Sequence, residues 1–232
     1  MIEVRPFSSL GGANHGWLDA KHHFSFSGYH DPRRMNWGSL RVWNDDIIAP
    51  KSGFPPHPHR HMEIITYVRE GAITHKDSLG NTGRTEAGDV QVMSAGTGIT
   101  HAEYNAEDVA TTLFQIWIEP SRSGEKPAWG AKPFPKGARS GQFVVLASGF
   151  DTDHDALPIR ANARVVGATL KAGETADYAL GATRRGYLVP ATGAVRIDGQ
   201  RVNPRDGAAI SGVETLRVTA LEDSEIVLVD AA

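Results

Sequence analysis

Apolar and polar residues alternate in short runs along this chain, and helical periodicity is hard to find. The clearest runs cover residues 63–68, 89–93, 111–118 and 142–146. Each run is bounded by glycine, proline, aspartate or asparagine, the residues that favour turns. Strict alternation between turn residues is typical of half-buried strands, so the pattern predicts an all-β sandwich or barrel.

One segment stands apart from the alternating runs. Residues 120–141 are rich in proline, glycine, serine and charge, a composition typical of a linker. The chain is long enough for two small β-domains. We therefore predict an N-terminal domain over residues 1–120, a linker over 121–141 and a C-terminal domain over 142–232, to which the extreme N-terminus can add a strand.

Composition narrows the class of protein. The chain has 232 residues, no cysteine and a formal net charge of −3. Absence of cysteine excludes thiolate metal sites and cysteine nucleophiles, and it suits a reducing compartment such as the cytoplasm. The start of the chain has no signal-peptide pattern, and no stretch approaches the ~20 apolar residues that a membrane helix needs. Basic residues form no run, which argues against direct binding to nucleic acid.

The chemistry is concentrated in two short motifs. His57 and His59 lie in PPHPHRHME, and His101 and Glu103 lie in AGTGITHAE. Residues two apart on a strand point to the same face, so each pair can aim both side chains at one point. Imidazoles and a carboxylate can hold a divalent metal with positions left open for a substrate. The alternative is a set of surface or hydrogen-bonded histidines without an ion.

Local sequence supports the metal interpretation. Pro58 stiffens the first motif because proline fixes the backbone angle φ. Gly96 and Gly98 permit turns that would bring His101 over the mouth of a barrel. His61 and Glu63 share the parity of the first motif, and since one ion cannot easily take all four side chains, their roles are left open.

The remaining histidines have less specific surroundings. His75 precedes the turn sequence DSLGN, and we interpret it as a structural or pocket-rim residue. His22, His23 and His30 lie in HHFSFSGYHDP and are interpreted as turn and surface residues. Phe24 and Phe26 are predicted to belong to the core, and contact with an aromatic substrate is the alternative.

The second half of the chain echoes the first. Tyr67 aligns with Tyr187 and Asp89 aligns with Asp206, each within similar Val- and Gly-containing patterns. The positions that then correspond to the two motifs are Asp177, Ala179, Val218 and Ala220. The repeat is therefore structural, and the second copy would carry no metal. The alternative is that any two β-meanders share such patterns.

At these motifs the chain resembles the cupin superfamily, and more closely the pirin family. The similar runs include GFPPHPHRHMEIITYV and GDVQVMSAGTGITHAEYN, and they cover most of residues 22–105. The resemblance implies a bicupin of two jelly-roll β-barrels, of which only the N-terminal one binds metal. It also implies one divalent transition metal, usually Fe(II), although Zn, Mn, Ni, Co and Cu suit the same ligands.

The resemblance assigns the ligands as well. They are His57, His59, His101 and Glu103. In many other cupins the glutamate ligand stands where Glu63 is, so here Glu63 is expected to support the site instead. His61 departs from many pirins, which leaves its role open.

Pirin-like proteins include enzymes that cleave quercetin, a flavonol, with O2. The resemblance implies a dioxygenase that inserts two oxygen atoms and releases carbon monoxide, with Glu103 as the catalytic general base that accepts the flavonol proton. Asp46, Arg60 and Met93 are candidates for the pocket. The expected partners are a small aromatic substrate and O2, and the protein is expected to be a monomer.

Two other functions remain open. The first is a metal- or redox-sensitive regulatory binding protein that acts through a protein partner, as eukaryotic pirins do. The second is a different cupin reaction on another small molecule, such as an isomerisation. Flavonol turnover that depends on Glu103 would distinguish the dioxygenase from both.

Overall fold

The computed structural model describes residues 1–232 and consists almost entirely of β-strands. The first twelve are β1 (Ile2–Arg5), β2 (Gly11–Asn14), β3 (Leu18–His22), β4 (Leu40–Ile48), β5 (Ser52–His59), β6 (Glu63–Glu70), β7 (Ala72–Asp77), β8 (Thr82–Glu86), β9 (Val90–Ser94), β10 (Ile99–Asn105), β11 (Thr111–Ile118) and β12 (Ala128–Lys132). The other ten are β13 (Val144–Ser148), β14 (Leu157–Pro158), β15 (Ala163–Leu170), β16 (Thr175–Ala179), β17 (Arg185–Thr192), β18 (Val195–Ile197), β19 (Gln200–Val202), β20 (Gly207–Ser211), β21 (Thr215–Ala220) and β22 (Ser224–Ala231).

Two short 3₁₀ turns, Phe7–Ser9 and Lys136–Arg139, are the helical segments. Neither is long or apolar enough to cross a membrane. The four alternating runs of the sequence lie on β6, β9, β11 and β13, which confirms the all-β prediction.

The strands form two barrels of the same design. In the N-terminal barrel a seven-stranded sheet, β12-β9-β6-β11-β4-β3-β2, packs with a four-stranded sheet, β5-β10-β7-β8. In the C-terminal barrel the corresponding sheets are β1-β20-β17-β22-β15-β13-β14 and β16-β21-β18-β19. Tyr67 on β6 and Tyr187 on β17 occupy equivalent strands, as the repeat in the sequence predicts.

The two halves of the chain also exchange edge strands. Residues 2–5 form β1, which pairs antiparallel with β20 of the C-terminal barrel. Residues 128–132 form β12, which lies within the predicted linker and pairs with β9 of the N-terminal barrel. Each strand supplies hydrogen bonds to a sheet edge that would otherwise be unpaired. By pairing, residues 2–5 therefore belong to the C-terminal sheet and residues 128–132 to the N-terminal one.

The main apolar core lies between the barrels. A cluster of 25 buried residues draws on both seven-stranded sheets, with Phe24, Trp43 and Phe114 from one side and Tyr187 and Val229 from the other. Phe24 is fully buried there, as predicted. This core fixes the two sheets against each other, so the N-terminal barrel has a rigid back wall.

The interiors of the two barrels differ. Inside the C-terminal barrel 15 buried apolar residues pack into one cluster. Val218, which the repeat places at His101, pairs there with Ala176, and both are buried. Inside the N-terminal barrel the apolar residues form only two small clusters, of six and four buried residues. The space between those clusters contains the polar groups described below.

A buried ion-pair network also joins the barrels. The carboxylate of Asp45 on β4 is fully buried and pairs with Arg69 on β6. Its other oxygen lies 2.6 Å from Nε of Arg205, in the turn before β20 of the C-terminal barrel. One buried charge thus compensates two guanidinium groups from the two barrels.

We expect Asp45→Asn to lower the free energy of unfolding by about 3 kcal/mol, because it leaves two largely buried cations without their shared charge. Urea unfolding of wild type and variant measures the difference. Asp177→Asn is the matched control, since Asp177 pairs with Arg217 in an exposed, two-bond ion pair of 2.9 Å. That change should cost less than about 1 kcal/mol. Equal effects of the two changes would contradict this view of the interface.

His23 also links the barrels, and it is fully buried with Nδ1 at 2.9 Å from the Tyr187 hydroxyl. Burial, aided by the nearby charge of Arg5, lowers the pKa of His23 to about 3. The unfolded chain takes up this proton near pH 6.5. Stability should therefore fall as the pH drops from about 6.5 towards 3, by up to about 1.4 kcal/mol per pH unit from this residue.

His23→Gln tests that expectation in metal-free protein. The variant should show a shallower loss of stability between pH 7 and pH 4 in urea unfolding, because the unfolded state no longer gains a proton there. The exposed residue offers a control, His30→Gln, which should follow the wild-type pH dependence. A slope unchanged in His23→Gln would show that this histidine is not the group responsible.

Candidate metal centre

Two neighbouring strands bring three of the predicted ligands together. β5 and β10 pair antiparallel, and His57 lies directly opposite His101 in the register. Nitrogen atoms of His57, His59 and His101, which we call the histidine triad, all lie within 4.8 Å of one another. Nε2 of His57 and Nε2 of His101 are 3.1 Å apart. This is the only such group of three ligating side chains in the protein.

The backbone around the triad explains this arrangement. Gly96 and Gly98, in the turn before β10, have φ angles of 50° and 142°, which glycine adopts with little strain. β5 ends at His59, and His61 follows in a turn with φ of 50° and an exposed side chain. His61 therefore does not share the strand face of His57 and His59, although it continues their alternation in the sequence.

The imidazoles are held in the form that binds metals. Nδ1 of His57 lies 2.7 Å from the carbonyl oxygen of Pro55, which only accepts, so Nδ1 carries the proton and the lone pair is at Nε2. Burial, followed by the neighbouring His101, lowers the pKa of His59 to about 4. Burial, followed by His57, lowers that of His101 to about 3. Neutral imidazoles at this spacing fit a divalent transition metal.

Glu103 is not one of the triad's close neighbours, and other residues bind its carboxylate. A β-bulge separates it from His101 on β10, and its side chain is buried. Oε1 lies 2.8 Å from Nε2 of Gln91 and 3.1 Å from Oγ1 of Thr66. Oε2 lies 2.7 Å from Nε2 of Gln115. Oε2 keeps a lone pair free for a further partner, and the ligand role of Glu103 stays a prediction.

The partners of Glu103 belong to a line of polar residues across the seven-stranded sheet. This polar row consists of Gln91, Thr66, Gln115, Asn44 and His22, each opposite the next in the strand register. All five are buried. The sequence contained a signal for two of them, since Gln91 in VQVM and Gln115 in LFQIWI each stand between apolar neighbours. The interpretation of His22 and His23 as surface residues was wrong. His22 lies in the polar row beside the cavity, and His23 packs against Tyr187 in the core between the barrels.

The triad, Glu103 and most of the polar row open into one cavity of about 500 Å³. Its apolar wall includes Trp17, Phe26, Phe54 and Trp117. The ring of Trp117 meets that of His59 edge to face, with centroids 5.0 Å apart. The cavity thus presents both aromatic rings and hydrogen-bonding groups to its contents.

The three pocket candidates of the sequence lie in different places. Asp46 lines the cavity, its Oδ1 has no hydrogen-bond partner, and burial together with the charge of Asp45 raises its pKa well above the usual range. Arg60 lines a separate open cleft on the outer side of His59. Met93 is packed in the apolar cluster with Ile64 and does not line the cavity, so that prediction was wrong.

Two further ligand-type residues lie outside the cavity. Glu63 is buried and accepts a hydrogen bond of 2.6 Å from Ser94 Oγ. His75 is fully buried, and its Nδ1 lies 3.4 Å from Nδ1 of His101. His75 is thus a structural residue, as one of the two sequence alternatives predicted, and it contacts the triad directly.

Comparison with known proteins agrees with this architecture. The family model described as Pirin matches residues 3–118, and the one described as Quercetinase C-terminal cupin domain matches residues 145–231. A pirin-like protein from Caulobacter vibrioides is 69% identical over 232 residues, which cover 100% of both chains. The quercetin 2,3-dioxygenase of Escherichia coli K12 is 40% identical over 231 residues, 99% of this chain and 98% of that one.

A solved structure gives the same result. The crystal structure of the bacterial pirin YhhW from Escherichia coli in complex with nickel(II) superimposes with a TM-score of 0.93 at 39% identity, and the match covers 100% of this chain and 99% of that one. The nickel belongs to that protein, while the histidine triad is a feature of this chain. The chain is therefore a member of the pirin family, an all-β bicupin whose N-terminal domain carries the histidine triad.

Proposed function

We propose that this protein is a metal-dependent dioxygenase that cleaves flavonol-type substrates such as quercetin with O2. The observation that carries the proposal is a histidine triad that opens into a cavity lined by aromatic and hydrogen-bonding side chains. The relative from Escherichia coli that is named quercetin 2,3-dioxygenase supports it. In the overall reaction both atoms of O2 enter the ring-opened product, and one ring carbon leaves as carbon monoxide.

His57, His59 and His101 would hold the metal, with Glu103 as the fourth ligand. When bound, a divalent ion such as Fe(II) would polarise the flavonol hydroxyl and lower its pKa. Four protein ligands would leave the ion able to take a substrate oxygen as well. The triad lines the cavity, so a substrate bound there would lie beside the metal.

Glu103 has the geometry of a proton acceptor held in place. The amides of Gln91 and Gln115 donate to different oxygens of its carboxylate, so the group cannot rotate freely. The flavonol hydroxyl must lose its proton before the ring carbons react with oxygen, and Glu103 lines the same cavity as the triad. A carboxylate fixed beside the substrate hydroxyl would accept this proton as general base.

The cavity walls suit a flat, hydroxylated aromatic molecule. Trp17, Phe54 and Trp117 offer apolar and edge contacts to aromatic rings. Asp46, which lines the same cavity, has an oxygen without a partner, which a substrate hydroxyl would satisfy.

Oxygen uptake by Fe(II)-loaded protein with quercetin tests the proposal. We expect uptake that equals the loss of flavonol absorbance, with one carbon monoxide released per flavonol. Metal-free protein is the control and should show neither change. No uptake by fully loaded protein would overturn the dioxygenase proposal and favour the regulatory alternative, in which the metal alters a surface that binds a protein partner.

A further inference from the structure

Behind the triad a second set of side chains contacts His101 on the face turned away from the cavity. We infer that His75, held by Asp77, is a positioning residue that fixes the proton of His101 on Nδ1 and so leaves the Nε2 lone pair for the metal. The inference rests on metal binding at the triad and not on flavonol cleavage, so the two proposals can fail separately.

The chain of contacts begins at Asp77, whose side chain is fully buried at the end of β7. Its Oδ1 accepts hydrogen bonds from the backbone amides of Leu79, at 2.9 Å, and Asn81, at 3.0 Å. Its Oδ2 accepts from Nδ2 of Asn81 and lies 2.9 Å from Nε2 of His75. The DSLGN turn therefore locks the carboxylate in one orientation.

These contacts determine where the protons are. A carboxylate bonded in this way only accepts, so Nε2 of His75 carries a proton and donates it to Asp77. In the neutral imidazole Nδ1 of His75 is then an acceptor. It faces Nδ1 of His101 at 3.4 Å, which places the proton of His101 on that nitrogen. The remaining lone pair of His101 is on Nε2, the atom that lies 3.1 Å from Nε2 of His57.

The seven-stranded sheet of the N-terminal barrel also holds the His75 ring in this position. The indole of Trp129 on β12 stacks on the imidazole, with centroids 4.7 Å apart and planes 9° from parallel. Gly83 lies opposite His75 in the register of β7 and β8. A Cβ atom at Gly83 would stand 2.1 Å from the Trp129 ring, so only glycine leaves room for the stack. The strand that the predicted linker adds to the N-terminal sheet thus supports a metal ligand.

His57 has an equivalent arrangement, because the carbonyl oxygen of Pro55 accepts from its Nδ1 and so sets the position of its proton. Acceptors behind a ligating histidine commonly set its tautomer, and their loss typically costs about 10- to 100-fold in metal affinity. His101 has no backbone acceptor of this kind, and the pair His75 and Asp77 takes its place.

Asp77→Asn tests the inference because it keeps the size and the turn acceptor but replaces Oδ2 with a donor. His75 would have to move its proton to Nδ1, and His101 would then carry its own on Nε2. We expect about 10- to 100-fold weaker binding of Ni(II) in a chelator competition. We also expect long-range nitrogen-15 NMR of the metal-free protein to show that the His101 tautomer changes from Nδ1–H to Nε2–H.

Asn81→Ala is the matched control, since it removes a contact of the same turn but no acceptor of His75. It should keep both the wild-type tautomer and the wild-type affinity. His75→Phe provides a second test if Asp77→Asn does not fold, because a phenyl ring keeps the stack on Trp129 and removes both nitrogens. It should also weaken Ni(II) binding. Wild-type affinity in Asp77→Asn or in His75→Phe, or an unchanged tautomer in Asp77→Asn, would overturn the inference.

Discussion

His101→Ala is expected to abolish tight binding of a divalent metal while the protein remains folded. The change removes one of three imidazoles and leaves His57 and His59 on a single strand. Loss of a residue that hydrogen-bonds a ligand weakens metal affinity by up to about 100-fold. Loss of a ligand itself should weaken it further. Folding should persist because the large core between the barrels does not involve this side chain.

Calorimetric titration with Ni(II) and thermal unfolding with and without metal measure the effect. Metal at 100 times its dissociation constant should stabilise wild type by about 2.7 kcal/mol and should leave His101→Ala unchanged. His61→Asn is the matched control, since it removes an exposed histidine close to the triad in sequence, at a positive φ that asparagine tolerates. Wild-type affinity in His101→Ala would show that the metal binds elsewhere.

Glu103→Gln should lower flavonol turnover by about 10²- to 10⁴-fold, the usual contribution of a general base. The change preserves shape but removes the basic oxygen. It also turns a donor of the new amide towards Gln91 or Gln115, so some stability should be lost, about 1–3 kcal/mol for one unsatisfied group. Oxygen uptake and flavonol loss, measured at saturating Fe(II), report the rate.

Metal affinity of the same variant separates the two roles that we propose for Glu103. Wild-type affinity with lost turnover would identify a proton acceptor that is not needed as a ligand, whereas loss of both would identify a ligand. Glu63→Gln is the matched control, because Glu63 is equally buried but bonds to Ser94 outside the cavity. Full turnover by metal-loaded Glu103→Gln would contradict the general-base role, and wild-type metal affinity would contradict the ligand role.

The variants Glu103→Gln and Asp77→Asn test separate proposals. Turnover that survives in Glu103→Gln would count against the general base, and Ni(II) affinity that survives in Asp77→Asn would count against the positioning of His101. The first concerns the carboxylate at the polar row, and the second concerns the acceptor behind His101. Both kinds of residue are buried in the N-terminal barrel, so stability must be measured beside each functional result.

The sequence by itself determined the fold class and the triad. Strict alternation between turn residues specifies strands, and two histidines separated by one residue must share a strand face. A second motif after glycines with unrestricted φ angles was enough to predict that His101 joins His57 and His59. The repeat around Tyr67 and Tyr187 likewise predicted a second structural copy, and the resemblance to the cupin superfamily implied that both copies are barrels.

Only the tertiary structure decided what surrounds the triad. The polar row is assembled from five strands far apart in sequence, and nothing in any single strand shows which others lie beside it. The same holds for β12, whose Trp129 reaches His75 only because a linker strand completes the first barrel. Strand order and register are properties of the whole sheet, which local alternation does not encode. Strand order and register also determine which residues hydrogen-bond Glu103, and those residues orient the carboxylate that the sequence motif supplies.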